Sequence, residues 1–223
     1  LADAERMAHD VPDLDLFHPW ELDADAAAEI ARGCEDAARS VDPRISNSEG
    51  ATLYTQRSSF IYGNTHGFVG GYPTTRHSLS CAVIAQEGEE MQRDYWYAVD
   101  RVPERLASEQ SVGHKAAQRT LARLQPRSVK TAKVPVLFAA DQAAGLVGHL
   151  FGAISGGAVY RESTFLLDAM GQPVFPDWMR MHETPYLLQG LGSSAFDGDG
   201  LQTREQAFID QGRLTSWLLS TYS

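Results

Sequence analysis

Apolar residues recur at helical spacing in the first strongly patterned stretch, where Ile30, Cys34, Ala37, Ala38 and Val41 share one face. Asp23 or Asp25 is placed to cap this helix, because a short carboxylate there accepts its first free backbone N–H groups. Asp42-Pro43 ends it, since proline disfavours the α conformation in the residue before it. From about residue 45 to residue 100 the period changes. "ATLYTQRSSFIY", "FVGGY", "RHSLSCAVIA" and "MQRDYWYAV" are rich in β-branched and aromatic residues, and "GNTHG" and "QEGEE" between them read as turns. The pattern predicts an antiparallel meander.

A second amphipathic helix is expected from about Ser108 to Leu124, with Val112, Ala116, Leu121 and Leu124 inward. "QPRSVKTAKVP" is a polar, basic connector and marks a domain boundary. Beyond it, "VPVLFAA" reads as a buried strand, followed by a helix over "DQAAGLVGHLFGAISGGA". "VYRESTFLLD" reads as another strand, and the chain closes with a hairpin turning at Asp210-Gln211-Gly212. Strands grouped between helices favour an α+β fold, a helix-flanked antiparallel sheet, over an alternating parallel one.

Composition changes little. With 223 residues, 43 % hydrophobic and 22 % charged, the chain is long enough for one large or two small packed domains. A formal net charge of -10 and no Lys/Arg run argue against a direct nucleic-acid partner. Cys34 and Cys81 lie far apart without CxxC spacing, which suits a reducing cytoplasm rather than a disulfide framework. The most apolar window, Ala143 to Tyr160, contains five glycines and His149 and is too short and polar to span a membrane. No signal peptide opens the chain, and because the first residue is Leu1 rather than methionine, we expect a piece of a longer protein.

That window carries the candidate chemistry. A helical zinc motif of the HExxH type needs two histidines on one face and a glutamate beside them. Around His149 the cooperating positions are Ala144, Gly145, Leu146, Gly152 and Ala153, none with a donor side chain. His182-Glu183 has no second histidine, since Tyr186 and Leu187 stand there. One further arrangement is a hydrolase site assembled from His66, His77 and His182 by folding. Ala144, Gly148, Gly152 and Gly156 form a row of small residues at spacing four. Glycine costs a helix roughly 1 kcal/mol per position relative to alanine, so the row needs a reason. Close packing on the domain's own sheet is one, and passage of a substrate or partner chain another. Arg76-His77 faces either a groove or an edge-strand surface. Asp197-Gly198-Asp199-Gly200 resembles part of a calcium loop but lacks the closing glutamate. No GxSxG elbow is present.

Longer strings say more. "DLDLFHP", "RISNSEGA", "YGNTHGFVGGYPTTRHSLSC", "MQRDYWY", "TLARLQPR", "GHLFGAISGGAVYRESTFLLD", "FPDWM" and "LTSWLLSTYS" run in order from Asp13 to Ser223. In these strings the chain resembles the PmbA/TldE branch of the TldD/PmbA family, also named modulators of DNA gyrase. The resemblance implies a middle α/β domain over residues 1–127 and the start of a β-rich C-terminal domain over 134–223, joined near 126–133. It implies a cytoplasmic TldD–TldE metallopeptidase that digests extended or unfolded peptides and matures peptide antibiotics. In that family the TldD-type subunit carries HExxxH. Laid on this chain, the motif puts its second histidine on His149, its first on Ala144 and its glutamate on Gly145. The implied chain is a subunit without catalytic residues or metal of its own. Zinc or another divalent ion belongs to a TldD-type partner, with a homodimer as the other assembly. Gly148, Gly152, Gly156, Arg76 and His77 are then candidates for a peptide groove or for packing. The alternative is a non-proteolytic protein-binding regulator in a gyrase or toxin–antitoxin pathway.

Overall fold

The computed structural model describes residues 3–223. Helix α1 spans Ala24–Arg39 and starts where Asp23 accepts the Ala26 N–H at 2.8 Å. Its inner face buries Cys34 and Ala38, with Ile30 packed beside them. Val41 lies beyond the last helical residue and is exposed, because the chain has already turned toward Asp42-Pro43. Strands β1 (Ile45–Gly63), β2 (Val69–Glu87) and β3 (Glu90–Asp100) form the expected meander in the order β1-β2-β3, all antiparallel. Helix α2, Glu109–Leu121, is capped by Ser108 and buries Val112, Gly113, Ala116, Ala117 and Thr120.

Both helices lie on one face of the sheet. Leu79, Cys81, Val83 and Ala85 alternate along β2 and face them, the period-two pattern of a half-covered strand. Trp96 of β3 sits under Lys115 and Arg119 of α2, 5.6 and 5.1 Å from the two cations. The helices cross at Gly113. A Cβ there would fall inside the contact distance of the Cys34 carbonyl and 2.9 Å from the Ala38 nitrogen. Gly113→Ala is therefore expected to cost about 2–3 kcal/mol in urea unfolding, as overpacking of a rigid backbone crossing does. An unchanged midpoint would contradict this crossing.

The β1–β2 hairpin outruns β3, which stops at Asp100 opposite His77. Its far end packs Phe60, Tyr62, Phe68 and Tyr72 around Phe196, which is fully buried. The lead segment joins this second core through Met7, Ala8, Leu14 and Leu16.

The C-terminal part begins differently from expectation. "VPVLFAA" forms no strand: Val134, Val136, Leu137 and Phe138 are all exposed, Leu137 at 97 %. Apolar content alone does not make a strand, and among the described residues no neighbour pairs with this one. Helix α3 follows over Ala140–Ala153, breaks at Ile154-Ser155, and resumes as α4 over Gly156–Tyr160 with Ser155 as cap. "VYRESTFLLD" is likewise not a strand but the end of α4 followed by turns. A small sheet of β4 (Met181–Glu183), β5 (Gln206–Asp210) and β6 (Arg213–Leu214) opens the second domain. Its β5–β6 hairpin turns where expected, with Gln211 and Gly212 at φ of 47° and 73°, the left-handed pair that tight hairpins favour. Leu150, Ile154, Leu166, Phe208, Ile209 and Leu214 form a third core beneath it.

Candidate functional site

α3 is the element on which the candidate metal chemistry rests. Ala139 offers its N-terminus no side-chain cap, and Asp141 in the first turn reaches Arg119 of α2 at 3.2 Å. Its far end is anchored by Leu150 in the third core. Between these anchors Ala144, Gly145, Gly148 and His149 are exposed. A Cβ added at Gly145, Gly148 or Gly152 would meet nothing within 4 Å. The expected packing of the small-residue row on the domain's own sheet is thus absent. The row is also interrupted, since Gly156 lies past the break in α4, against Ser223 and Leu219. Helical periodicity carries a pattern only as far as the helix continues.

α3 supplies one imidazole at His149, while Ala144 and Gly145 offer no donor atom. Zinc needs three or four protein ligands, so these residues do not fit a metal centre. Among the described residues no three His, Cys, Asp or Glu side chains converge as a ligand set, and His66, His77 and His182 are not brought together.

His77 corrects a second expectation. It lies on the central strand rather than an edge, is fully buried, and has both ring nitrogens engaged. Nε2 lies 2.9 Å from the His18 carbonyl, Nδ1 lies 2.8 Å from Thr55 Oγ1, and Trp20 packs edge-on at 5.6 Å. Arg76 points to the opposite, exposed face, as alternation requires. Asp197 closes a local turn, accepting the Asp199 and Leu201 N–H groups at 2.9 Å, so that run is a turn and not a cation loop. Cys34 and Cys81 are buried thiols; the contact with Cys81, then burial, pushes the Cys34 thiol up, away from the nucleophilic form.

Sequence reading missed Arg101. Its guanidinium is 7 % exposed and donates to three carbonyls: Thr75 at 2.9 Å, Gly190 at 2.9 Å and Leu191 at 3.1 Å. Burial, reinforced by nearby Arg76, pushes it below its usual value. Arg101 joins the meander to the C-terminal part, a role no local pattern announces.

Two known domain families match most of the chain. The PmbA/TldA metallopeptidase central domain covers residues 17–124, and the C-terminal domain of the same family covers 131–223. The chain belongs to the PmbA/TldD metallopeptidase family. Metalloprotease PmbA of Escherichia coli O157:H7 is 49 % identical over all 223 residues, and a PmbA homolog of Haemophilus influenzae is 41 % identical. The chain spans about half the length of these curated relatives, 50 % and 49 %. A structure from Bacteroides thetaiotaomicron, described as a modulator of DNA gyrase, superposes with a TM-score of 0.93 at 26 % identity, covering 100 % of this chain and 51 % of that one. TldE from Thermococcus kodakarensis shares the fold, with a TM-score of 0.75 at 18 % identity over 90 % of this chain and 45 % of its own. The PmbA/TldD chain described here has the family's mixed helix and antiparallel-sheet fold, and the second sheet begins its C-terminal domain. No helix among the described residues is long and apolar enough to cross a membrane.

Proposed function

We propose that this chain is the PmbA/TldE-type, non-catalytic part of a cytoplasmic TldD/TldE-type peptidase. In this reading a TldD-type partner holds zinc or another divalent metal. The present chain completes the assembly around an extended or unfolded peptide. The observation that supports it is α3, which presents one imidazole, no donor at Ala144 or Gly145, and an open face at Gly145, Gly148 and Gly152. An unobstructed helix face suits close approach by another chain.

Co-expression of the full-length protein with an HExxxH relative, followed by pull-down, metal analysis and a casein-peptide assay, tests it. Metal is expected on the partner alone, and hydrolysis only in the mixture. Stoichiometric zinc and chelator-sensitive hydrolysis by this protein alone would overturn it. The description of a 26 %-identical structure as a modulator of DNA gyrase supports a second reading, a non-proteolytic regulator. That reading expects a partner complex with no hydrolysis in either state.

A further inference from the structure

Cys34 and Cys81 are the two cysteines of the chain, and the whole of β1 lies between them in sequence. The fold nevertheless sets them face to face. Cys34 stands on the inner face of α1, fully buried, and Cys81 on the helix-covered face of the central strand β2, 1 % exposed. Both belong to the first core, where Cα atoms of α1 approach those of β2 within 8 Å. Their surroundings are small: Ala38, Ala116 and Ala117 fill the same core, and Gly113 lets α2 press on the Cys34 carbonyl. The two thiols touch, and both are free.

No role assigned above uses either sulfur. Alanine or valine fills a core position of this size equally well, so two thiols in contact add a chemistry that packing does not require. The contact also divides the roles. Cys34 donates its S–H to Cys81, which pulls the Cys81 thiol below its ordinary value, while Cys34 is pushed up. Cys81 is therefore the sulfur that ionises first and attacks, and Cys34 the one that resolves.

We propose that Cys34 and Cys81 form a peroxide-sensitive dithiol whose disulfide staples α1 to β2. The Cys81 thiolate attacks one oxygen of hydrogen peroxide and breaks the O–O bond, giving a sulfenic acid and hydroxide. The hydroxide takes up the proton that Cys81 lost and leaves as water. The Cys34 sulfur then displaces the sulfenic oxygen, which departs with the Cys34 proton as a second water while the S–S bond forms. The two thiols together lose two electrons, and one peroxide is reduced to two waters. In the reducing compartment proposed above, the pair rests as thiols and closes only under oxidant. Because both sulfurs are buried, closure waits on local opening of α1. The inference is independent of the peptidase reading, since it concerns the first core and not α3.

The test treats the full-length protein with hydrogen peroxide, alkylates it with N-ethylmaleimide in denaturant, and maps it by mass spectrometry without reduction. A peptide pair cross-linked through Cys34 and Cys81 is expected. The bridge closes a loop of about 47 residues in the unfolded chain, so the oxidised protein is expected to melt about 3 °C or more above the reduced one. Dithiothreitol should reverse that shift. Cys34→Ala and Cys81→Ala are each expected to abolish the cross-link and the shift while circular dichroism shows an intact fold. Should a variant fail to fold, the cross-link and the reversible shift in the unsubstituted protein decide the matter. Sulfinic acid on one cysteine in place of the cross-link overturns the proposal. So do thiols that stay fully open to alkylation after peroxide, a bridge between two molecules, or a bridged form that melts no higher than the reduced one.

Discussion

Arg101→Ala is expected to destabilise the protein by about 3–5 kcal/mol, measured as the shift in a urea unfolding curve. The guanidinium holds the carbonyls of Thr75, Gly190 and Leu191 in a place where water is scarce. Removing it leaves the Thr75 and Leu191 carbonyls unpaired, while Gly190 keeps the Ser193 N–H at 3.1 Å, and each hydrogen bond to a charged donor is worth about 1.5–3 kcal/mol. Simple addition would overshoot, because solvent re-enters a truncated site. Arg101→Lys keeps the charge but not the planar fork, so it should recover only part of the loss. A loss under 1 kcal/mol for the alanine variant would show that Arg101 does not hold these segments together.

Phe196→Ala is expected to cost about 3–5 kcal/mol, the usual range for emptying a buried phenylalanine site. Phe60, Phe68 and Tyr72 surround its ring with centroids 5.5, 5.2 and 5.5 Å away. The loss should be accompanied by faster hydrogen exchange at the hairpin end and in the lead, because Phe196 is where they meet. Phe196→Leu keeps most of the volume and is expected to lose under about 2 kcal/mol. Uniform exchange changes across α1 and α2 would argue that the second core is not a separate unit.

Much of the first domain was legible because its signals are local. The Asp23 cap, the β-rich runs and turns of the meander, the start of α2 near Ser108 and the Asp210-Gln211-Gly212 turn each need only a few neighbouring residues. The rest depends on contacts between distant segments. "VPVLFAA" has the composition of a strand, but a strand requires a partner, and sequence does not say whether one is at hand. The glycine row ignored the break at Ile154-Ser155, which rests on Ser155 capping a new helix. His77 read as facing a groove or an edge-strand surface, whereas Thr55 and the His18 carbonyl satisfy its buried ring. Arg101 carries no local signature at all. At the candidate site, the absent donors at Ala144 and Gly145 could be read directly, whereas the openness of α3 could not.

The exposed run through residues 125–140 has a consequence for how the molecule stays whole. Arg127, Lys130 and Lys133 all lie in it without secondary structure, so trypsin should cut there first. The cut pieces would still share Phe196, the hairpin end, the lead and the Arg101 fork. They are expected to elute together from a sizing column and to part only in denaturant. Peptide continuity across that segment then serves as a tether, while the protein behaves as two complementing fragments.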